Sequence, residues 1–187
     1  MMNTVEAVKS EHDINLIEDL LKKYHGQLYA DLWKIGLNVN LRISDLLKTE
    51  YADLDLVKRE YILKESKTGK SKVIRLNKTV INIIKRRRKD SPDDVYLFQV
   101  HSNRSNNKPP SREHVARILK GIGSMRRLNI KLGTHSMRKT KGFMMHKSGV
   151  AIELICKALN HSNPSVTMSY IGITQDEVLQ TYDDYEL

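Results

Sequence analysis

Two short β-type runs, Tyr61-Ile62-Leu63 and Val73-Ile74-Arg75-Leu76, flank the turn residues Thr68-Gly69-Lys70-Ser71, while most other apolar residues in the chain recur at helical spacing. Such runs around a glycine-bearing turn read as one antiparallel hairpin. Helices must therefore build the rest of the core. The expected class is α+β, mostly α-helical, with a small antiparallel sheet.

The helices are marked by their ends. Ser10 stands where it can cap a first helix, Asp13 suits its positive first turn, and Gly26 ends it after Leu16, Ile17, Leu20, Leu21 and Tyr24. A second helix is expected over residues 28–37, a break at Asn38-Val39-Asn40, and a short helix at Ile43-Ser44-Asp45-Leu46-Leu47. Residues 79–89 read as helical until Pro92, residues 95–98 as a short apolar segment and residues 99–110 as a polar surface loop. Ser111 caps a helix reaching about Leu119, and Thr134 is positioned to cap one that ends near Gly149. Residues 152–159 form the next helix. Asn163-Pro164 starts another, since a capping side chain followed by proline is a strong start signal. A last helix over residues 174–182 precedes an acidic tail.

Charge narrows the partners. The chain has 187 residues and a formal net charge of +10, with 40% hydrophobic but only 6% aromatic residues. Such an excess attracts polyanions and supplies a salt-dependent term in nucleic-acid binding. Cys156 is the single cysteine, which excludes an internal disulfide and fits a reducing cytoplasm. It sits in an apolar run and reads as a buried structural thiol. There is no zinc-ligand pattern, no signal segment and no apolar run near the ~18 residues of a membrane span. No cofactor and no metal are expected.

The last third of the chain carries the chemistry. His135 and Arg138 are three apart, on one face of a helix near its N-terminus, where backbone N–H groups also favour an anion. Leu159-Asn160-His161-Ser162 follows, and Tyr170 stands nine residues after His161, across the Asn163-Pro164 break. Cutting a DNA phosphodiester without a metal requires fixed cations for the transition-state charge, a nucleophile, a base and an acid for the leaving oxygen. Arginine suits the first task, because its planar fork binds two oxygens and stays charged. A tyrosine nucleophile conserves the bond energy in a phosphotyrosine, so rejoining needs no ATP.

In order and spacing these boxes resemble the catalytic domain of the tyrosine recombinase (phage integrase) family. The family's T-G-L-R-x-S-E-L arginine box is matched by the segment from Asn38 through Leu41-Arg42-Ile43-Ser44-Asp45 to Leu46. The hairpin lysine is best matched by Lys67, the H-x-x-R box by His135 and Arg138, the L-G-H-S box by the segment at His161, and the later tyrosine by Tyr170. The resemblance runs from about Ser10 to Tyr170. It implies that Arg42 and Arg138 clamp the scissile phosphate, that His161 donates a further hydrogen bond, and that Lys67 protonates the leaving 5′-hydroxyl. It implies His135 as base or proton relay, Asp45 as the group orienting arginine and histidine, and Tyr170 as the nucleophile that joins the DNA 3′-phosphate.

The chain departs from the pattern at four places. Asn40 and Asn160 stand where glycine is usual, Asp45 where glutamate is usual, and Lys139 follows Arg138 where histidine is common. Asparagine tolerates a left-handed backbone next best to glycine. Lys70 and Lys72 compete with Lys67 as general acid, because hairpin register is not legible to one residue. Tyr182 and Tyr185 are rival nucleophiles at the wrong distance from His161. The run Lys85-Arg86-Arg87-Arg88-Lys89 reads as a DNA-facing or solvated helix end.

The resemblance implies a site-specific DNA recombinase acting on double-stranded DNA with specific recombination sites, as a homo-tetramer on DNA and a monomer otherwise. Residues 1–187 are expected to form one catalytic domain, with the family's N-terminal core-binding domain absent. The chain is then either a fragment of a longer integrase or a natural minimal recombinase. A bacterial cytoplasmic, nucleoid-associated location is expected. Val178 and Leu179 stand either to anchor an exchanged terminal helix or to pack within the chain. Two rival readings are a non-catalytic DNA-binding regulator and a type IB topoisomerase.

Overall fold

The computed structural model describes residues 5–64, 69, 71–102, 107–184 and 186. Helices α1 (Glu11–His25) and α2 (Gln27–Val39) pack against each other. Ser10 caps α1 through its hydroxyl, which accepts from the Asp13 N–H at 3.0 Å. Gly26 joins the two helices at φ 92°, a left-handed value that a side chain would strain. A short α3 (Ile43–Leu47) and a 3₁₀ turn at Tyr51–Asp53 lead into the sheet. Strands β1 (Leu54–Asp55), β2 (Glu60–Lys64) and β3 (Ser71–Arg75) form an antiparallel meander in that order, with Tyr61 opposite Ile74. The expected hairpin is therefore present. It has gained β1, a strand of two residues, too short to show a period of its own.

Helices α4 (Lys78–Asp90), α5 (Arg112–Gly123), α6 (Ser136–Lys147), α7 (Ile152–Leu159), α8 (Pro164–Ile171) and α9 (Gln175–Asp184) complete the described fold. One start differs from expectation. Thr134 does not cap α6; His135 occupies the cap position, and Ser136 accepts from the Gly133 N–H through its hydroxyl at 3.1 Å. Among the described residues, no helix is long and apolar enough to cross a membrane.

Helix α6 lies between two cores. Met137 joins the larger one, around Trp33, Leu32, Ile17, Leu97 and Phe98. Phe143 joins the smaller one with Ile155, Leu159 and Ile171, against which Tyr170 packs. Gly142 allows this second contact to be close. A Cβ there would lie 2.7 Å from Ile171 Cγ2, below any normal separation. The segment of residues 5–9 straps the outside of α6. Val8 is fully buried and its N–H donates to Thr140 Oγ1 at 2.8 Å, while Glu6 exchanges bonds with Lys131. Leu179 on α9 is 53% exposed, and the side chain of Val178 lies outside the described residues.

The basic run on α4 is largely exposed, as expected of a solvated helix end, but its three arginines also pair within the molecule. Arg86 and Arg87 both bind the carboxylate of Asp31, which is 2% exposed on α2. Arg87 also donates to Leu97 O at 2.8 Å. Arg88 donates to Asp94 O at 2.8 Å and stacks over the Tyr51 ring at 4.0 Å. The three arginines thus fasten α4 to the rest of the molecule.

Removing one member of a buried ion pair leaves a charge without compensation and costs about 3–5 kcal/mol. Arg86 is partly solvated, so the lower end applies. Asp31→Ala is expected to lower unfolding free energy by about 3 kcal/mol, read from the urea midpoint at constant m-value. A change below about 0.5 kcal/mol, the size of an ordinary surface effect, would show that this pairing does not anchor α4.

Candidate active site

Two helix ends create the floor of the site. Helix α2 terminates at Asn40 (φ 57°, ψ 34°) and α7 at Asn160 (φ 52°, ψ 46°), both in the left-handed region. A helix that ends this way presents carbonyls that its own N–H groups no longer reach. Arg138 fills that need. Its guanidinium donates to Asn40 O at 2.8 Å and to Leu159 O at 2.7 Å, and the residue is only 2% exposed. Asn40 Nδ2 and Lys72 Nζ both donate to Ala158 O, at 3.1 and 2.9 Å, which ties α2, β3 and α7 together at one point. Lys72, a rival for the general acid, is thus bound to a helix end.

The left-handed turn at Asn40 buries Leu41 and sends Arg42 to the N-cap of α3. Asp45 follows on α3 and is 3% exposed. Its N–H and that of Leu46 both donate to Arg42 O, at 3.0 and 2.9 Å, which sets the backbone that carries Arg42. After Asn160 the chain reverses, and the His161 N–H donates to Cys156 O at 3.0 Å. Cys156 is the buried thiol the apolar run implied, with its Sγ 3.5 Å from His161 O. Asn163 caps α8 by accepting from the Val166 N–H at 3.0 Å. Thr167, one turn into α8, meets His161 Nδ1 at 3.0 Å and holds that ring.

Tyr170 sits where these elements converge. Its hydroxyl is 3.2 Å from His135 Nδ1. The His161 ring packs edge-on against it, with centroids 4.8 Å apart and planes at 79°. His135 approaches at 6.3 Å and 81°. A cleft of about 820 Å³ opens beside the phenol, with His135, Lys139, Ser165 and Ser169 among its lining residues.

Electrostatics follow from this placement. Burial raises the Tyr170 pKa above 10.0, while the charges of Arg138 and Arg42 act to lower it. Burial lowers the pKa of His135 below 6.5, and Arg138, Arg112, Lys139 and Arg42 push it in the same direction. His161 is lowered by burial and then by Arg138 and Arg42. At neutral pH the site therefore holds a neutral phenol, two neutral imidazoles and a group of fixed positive charges. That is a binding place for an anion, with a proton acceptor beside a hydroxyl.

Of the residues marked in the sequence, Arg42, His135, Arg138, His161 and Tyr170 act on one another here, and Asp45 is buried beside Arg42. Lys67 and its rival Lys70 lie outside the described residues, as does Tyr185. Tyr182 is 77% exposed on α9. Sequence reasoning missed three contributors. Thr167 is signalled only by lying six residues after His161, and Lys139 only by standing where histidine is common. Arg112 has no signal beyond its place at the start of α5, yet its charge acts on His135.

The sequence matches the Phage integrase family over residues 10–177. It is 33% identical over 181 residues to the "Probable integrase/recombinase YoeC" of Bacillus subtilis (strain 168), covering 97% of each chain. It is 33% identical over 138 residues to the "Tyrosine recombinase XerA" of Pyrococcus furiosus, covering 72% of this chain but 46% of that one. Among solved structures, a XerA recombinase superposes with a TM-score of 0.75 at 15% identity, over 100% of this chain and 66% of that one. A XerH recombinase bound to a palindromic difH substrate gives 0.74 at 14%, over 97% and 53%. The fold is thus that of the recombinase catalytic domains. With a family match across nearly its whole length and a relative of the same extent at 33% identity, the chain belongs to the phage integrase family of tyrosine recombinases.

Proposed function

We infer that this chain is the catalytic domain of a site-specific recombinase that cleaves and rejoins double-stranded DNA through a 3′-phosphotyrosine on Tyr170, without metal or ATP. The observation that carries this reading is the 3.2 Å approach of the Tyr170 hydroxyl to His135 Nδ1, within the field of Arg42 and Arg138. The net charge of +10 supplies the non-specific attraction for DNA.

The steps follow from the groups present. The scissile phosphate enters beside Tyr170 and is held by Arg42 and Arg138. Two of the five N–H donors of Arg138 are engaged by Asn40 O and Leu159 O, so its fork is oriented before DNA arrives. His161 donates to a phosphate oxygen from Nε2, with Nδ1 accepting from the Thr167 hydroxyl. Tyr170 Oη attacks phosphorus as its proton passes to His135 Nδ1, which requires the Nε2–H tautomer. The bond to the 5′-oxygen breaks, and Lys67 supplies that oxygen's proton. The reverse attack by a 5′-hydroxyl restores the phosphodiester and releases Tyr170. Asp45 serves as the positioning group beside Arg42. Recombination between two sites then needs four protomers, so assembly as a tetramer on paired DNA sites is part of this reading.

The direct test is adduct formation on nicked duplexes selected by the protein itself from a randomised pool. Wild type is expected to give a covalent 3′ adduct, and Tyr170→Phe to bind the same duplexes without one. Arg42→Gln should slow the adduct by about 10²–10³, the cost of removing one transition-state donor. Binding to the selected duplexes with no adduct would instead indicate a regulator. Relaxation of supercoiled plasmid without a preferred site would indicate a topoisomerase.

The pH dependence has a defined sign. His135 must be neutral to accept the phenol proton, and its pKa lies below 6.5. Adduct formation should be level near neutrality and fall as pH drops through that lowered value, giving an acid limb with its midpoint under 6.5 in single-turnover rates. The folded state also disfavours protonating His135 and His161. The stability this contributes is present above the ordinary histidine pKa and is lost as pH falls through the lowered values. A limb centred above 6.5 would remove His135 from the role of base.

A further inference from the structure

Lys139 has no role in the mechanism above, yet its placement is unusual. Lysine is rarely buried without a partner, and Lys139 is 8% exposed. Its Nζ lies 5.3 Å from the centre of the Tyr170 ring, within cation–π range. With Tyr170 it lines the 820 Å³ cleft and a second one of about 510 Å³, on whose wall stand Val5, Glu6 and Ala7 of the N-terminal strap. Burial lowers the Lys139 pKa, and Glu6 opposes that shift. A packing role would be filled better by methionine, which has similar length and no charge to desolvate.

Besides the Arg138 side chain, which also hydrogen-bonds Tyr170, three groups bear on it. His135 meets its hydroxyl, the His161 ring packs against it edge-on, and Lys139 places a cation over the ring. We propose that Lys139 is a positioning residue for the nucleophile: its ammonium, buried over the Tyr170 ring, keeps the phenol docked against His135 before DNA binds and stabilises the charge that develops on the ring during attack. The charged and titratable groups around the pair, among the described residues, are Glu6 and Lys9 on the strap, Asp13 on α1, His135 at the cap of α6, Arg138 on α6, Arg42 at α3, Arg112 at α5 and His161 before α8. The catalytic half of the proposal rests on Tyr170 being the nucleophile; the docking half does not.

The test therefore begins without DNA. Tyrosine is labelled with carbon-13 in the whole chain, and the Tyr170 signals are identified by their loss in Tyr170→Phe. In Lys139→Met the proximity signals between Tyr170 and His135 should weaken, and Tyr170 should ionise at a higher pH than in wild type. Lys139→Arg, which keeps a cation over the ring, should preserve both. On selected nicked duplexes, Lys139→Met should form adduct about tenfold more slowly, the scale of one desolvated cation–π contact, with unchanged DNA affinity and melting temperature. Its acid limb should move to higher pH, because the Lys139 charge helps lower the His135 pKa. Unaltered Tyr170 proximity and titration in Lys139→Met would overturn the proposal, as would a Lys139→Arg variant no better than Lys139→Met. A wild type that forms no adduct would overturn the nucleophile reading alone, and the Tyr170 signals would still decide whether Lys139 docks the ring.

Discussion

The buried guanidinium of Arg138 holds the site together. It spans from α6 to the last carbonyls of two other helices, 98 positions from Asn40 and 21 positions from Leu159. Taking such a charge out of water costs several kcal/mol unless it is well paired. Here the compensation comes from backbone rather than from a carboxylate. The carbonyl ends of α2 and α7 carry the negative poles of their helices, so cation and helix ends satisfy each other. An acidic partner would have cancelled its charge. Carbonyl dipoles orient the arginine while leaving its net charge in place.

This also explains why the two asparagines are tolerated where glycine is usual. Both Asn40 and Asn160 take left-handed values that point the neighbouring carbonyls at Arg138 or turn the chain toward His161. Asparagine reaches that region at modest cost. Asn40 adds a hydrogen bond from its side chain to Ala158 O, which glycine lacks. Helix α6 is the common element: one side meets the larger core through Met137, the other meets α7 and α8 through Gly142 and Phe143. Tyr170 is placed by that second contact, so the distance between the Arg138 guanidinium and the Tyr170 hydroxyl depends on how closely α8 approaches α6.

Much of this was legible in one dimension. Ser10, Gly26, Ser111 and the Asn163-Pro164 pair end or begin helices as their chemistry dictates, because capping depends on neighbours within one turn. Arg42, His135, Arg138, His161 and Tyr170 were marked by type and spacing, and the fold brings them to one place. The failures were of another kind. Thr134 lost the cap of α6 because Ser136 bonds to Gly133 instead, a choice between two local options that the sequence alone leaves balanced. The internal partners of the arginines at residues 86–88 were not legible because Asp31 and the carbonyl of Leu97 are distant in sequence. Lys139 looked like a neutral departure because its partner, Tyr170, lies 31 positions on.

The sequence by itself determined which chemical groups are available: two arginines, two histidines, a tyrosine and their order along a mostly helical chain with one hairpin. It did so because helical period, caps and motif spacing are local properties. Only the tertiary structure decided what each cation is for. Arg86 and Arg87 neutralise a buried aspartate, Arg138 is oriented by helix ends, Lys72 ties β3 to α7, and Lys139 rests on the Tyr170 ring. Identical charges acquire different tasks because desolvation and partner geometry are set by contacts between segments that are far apart in the chain.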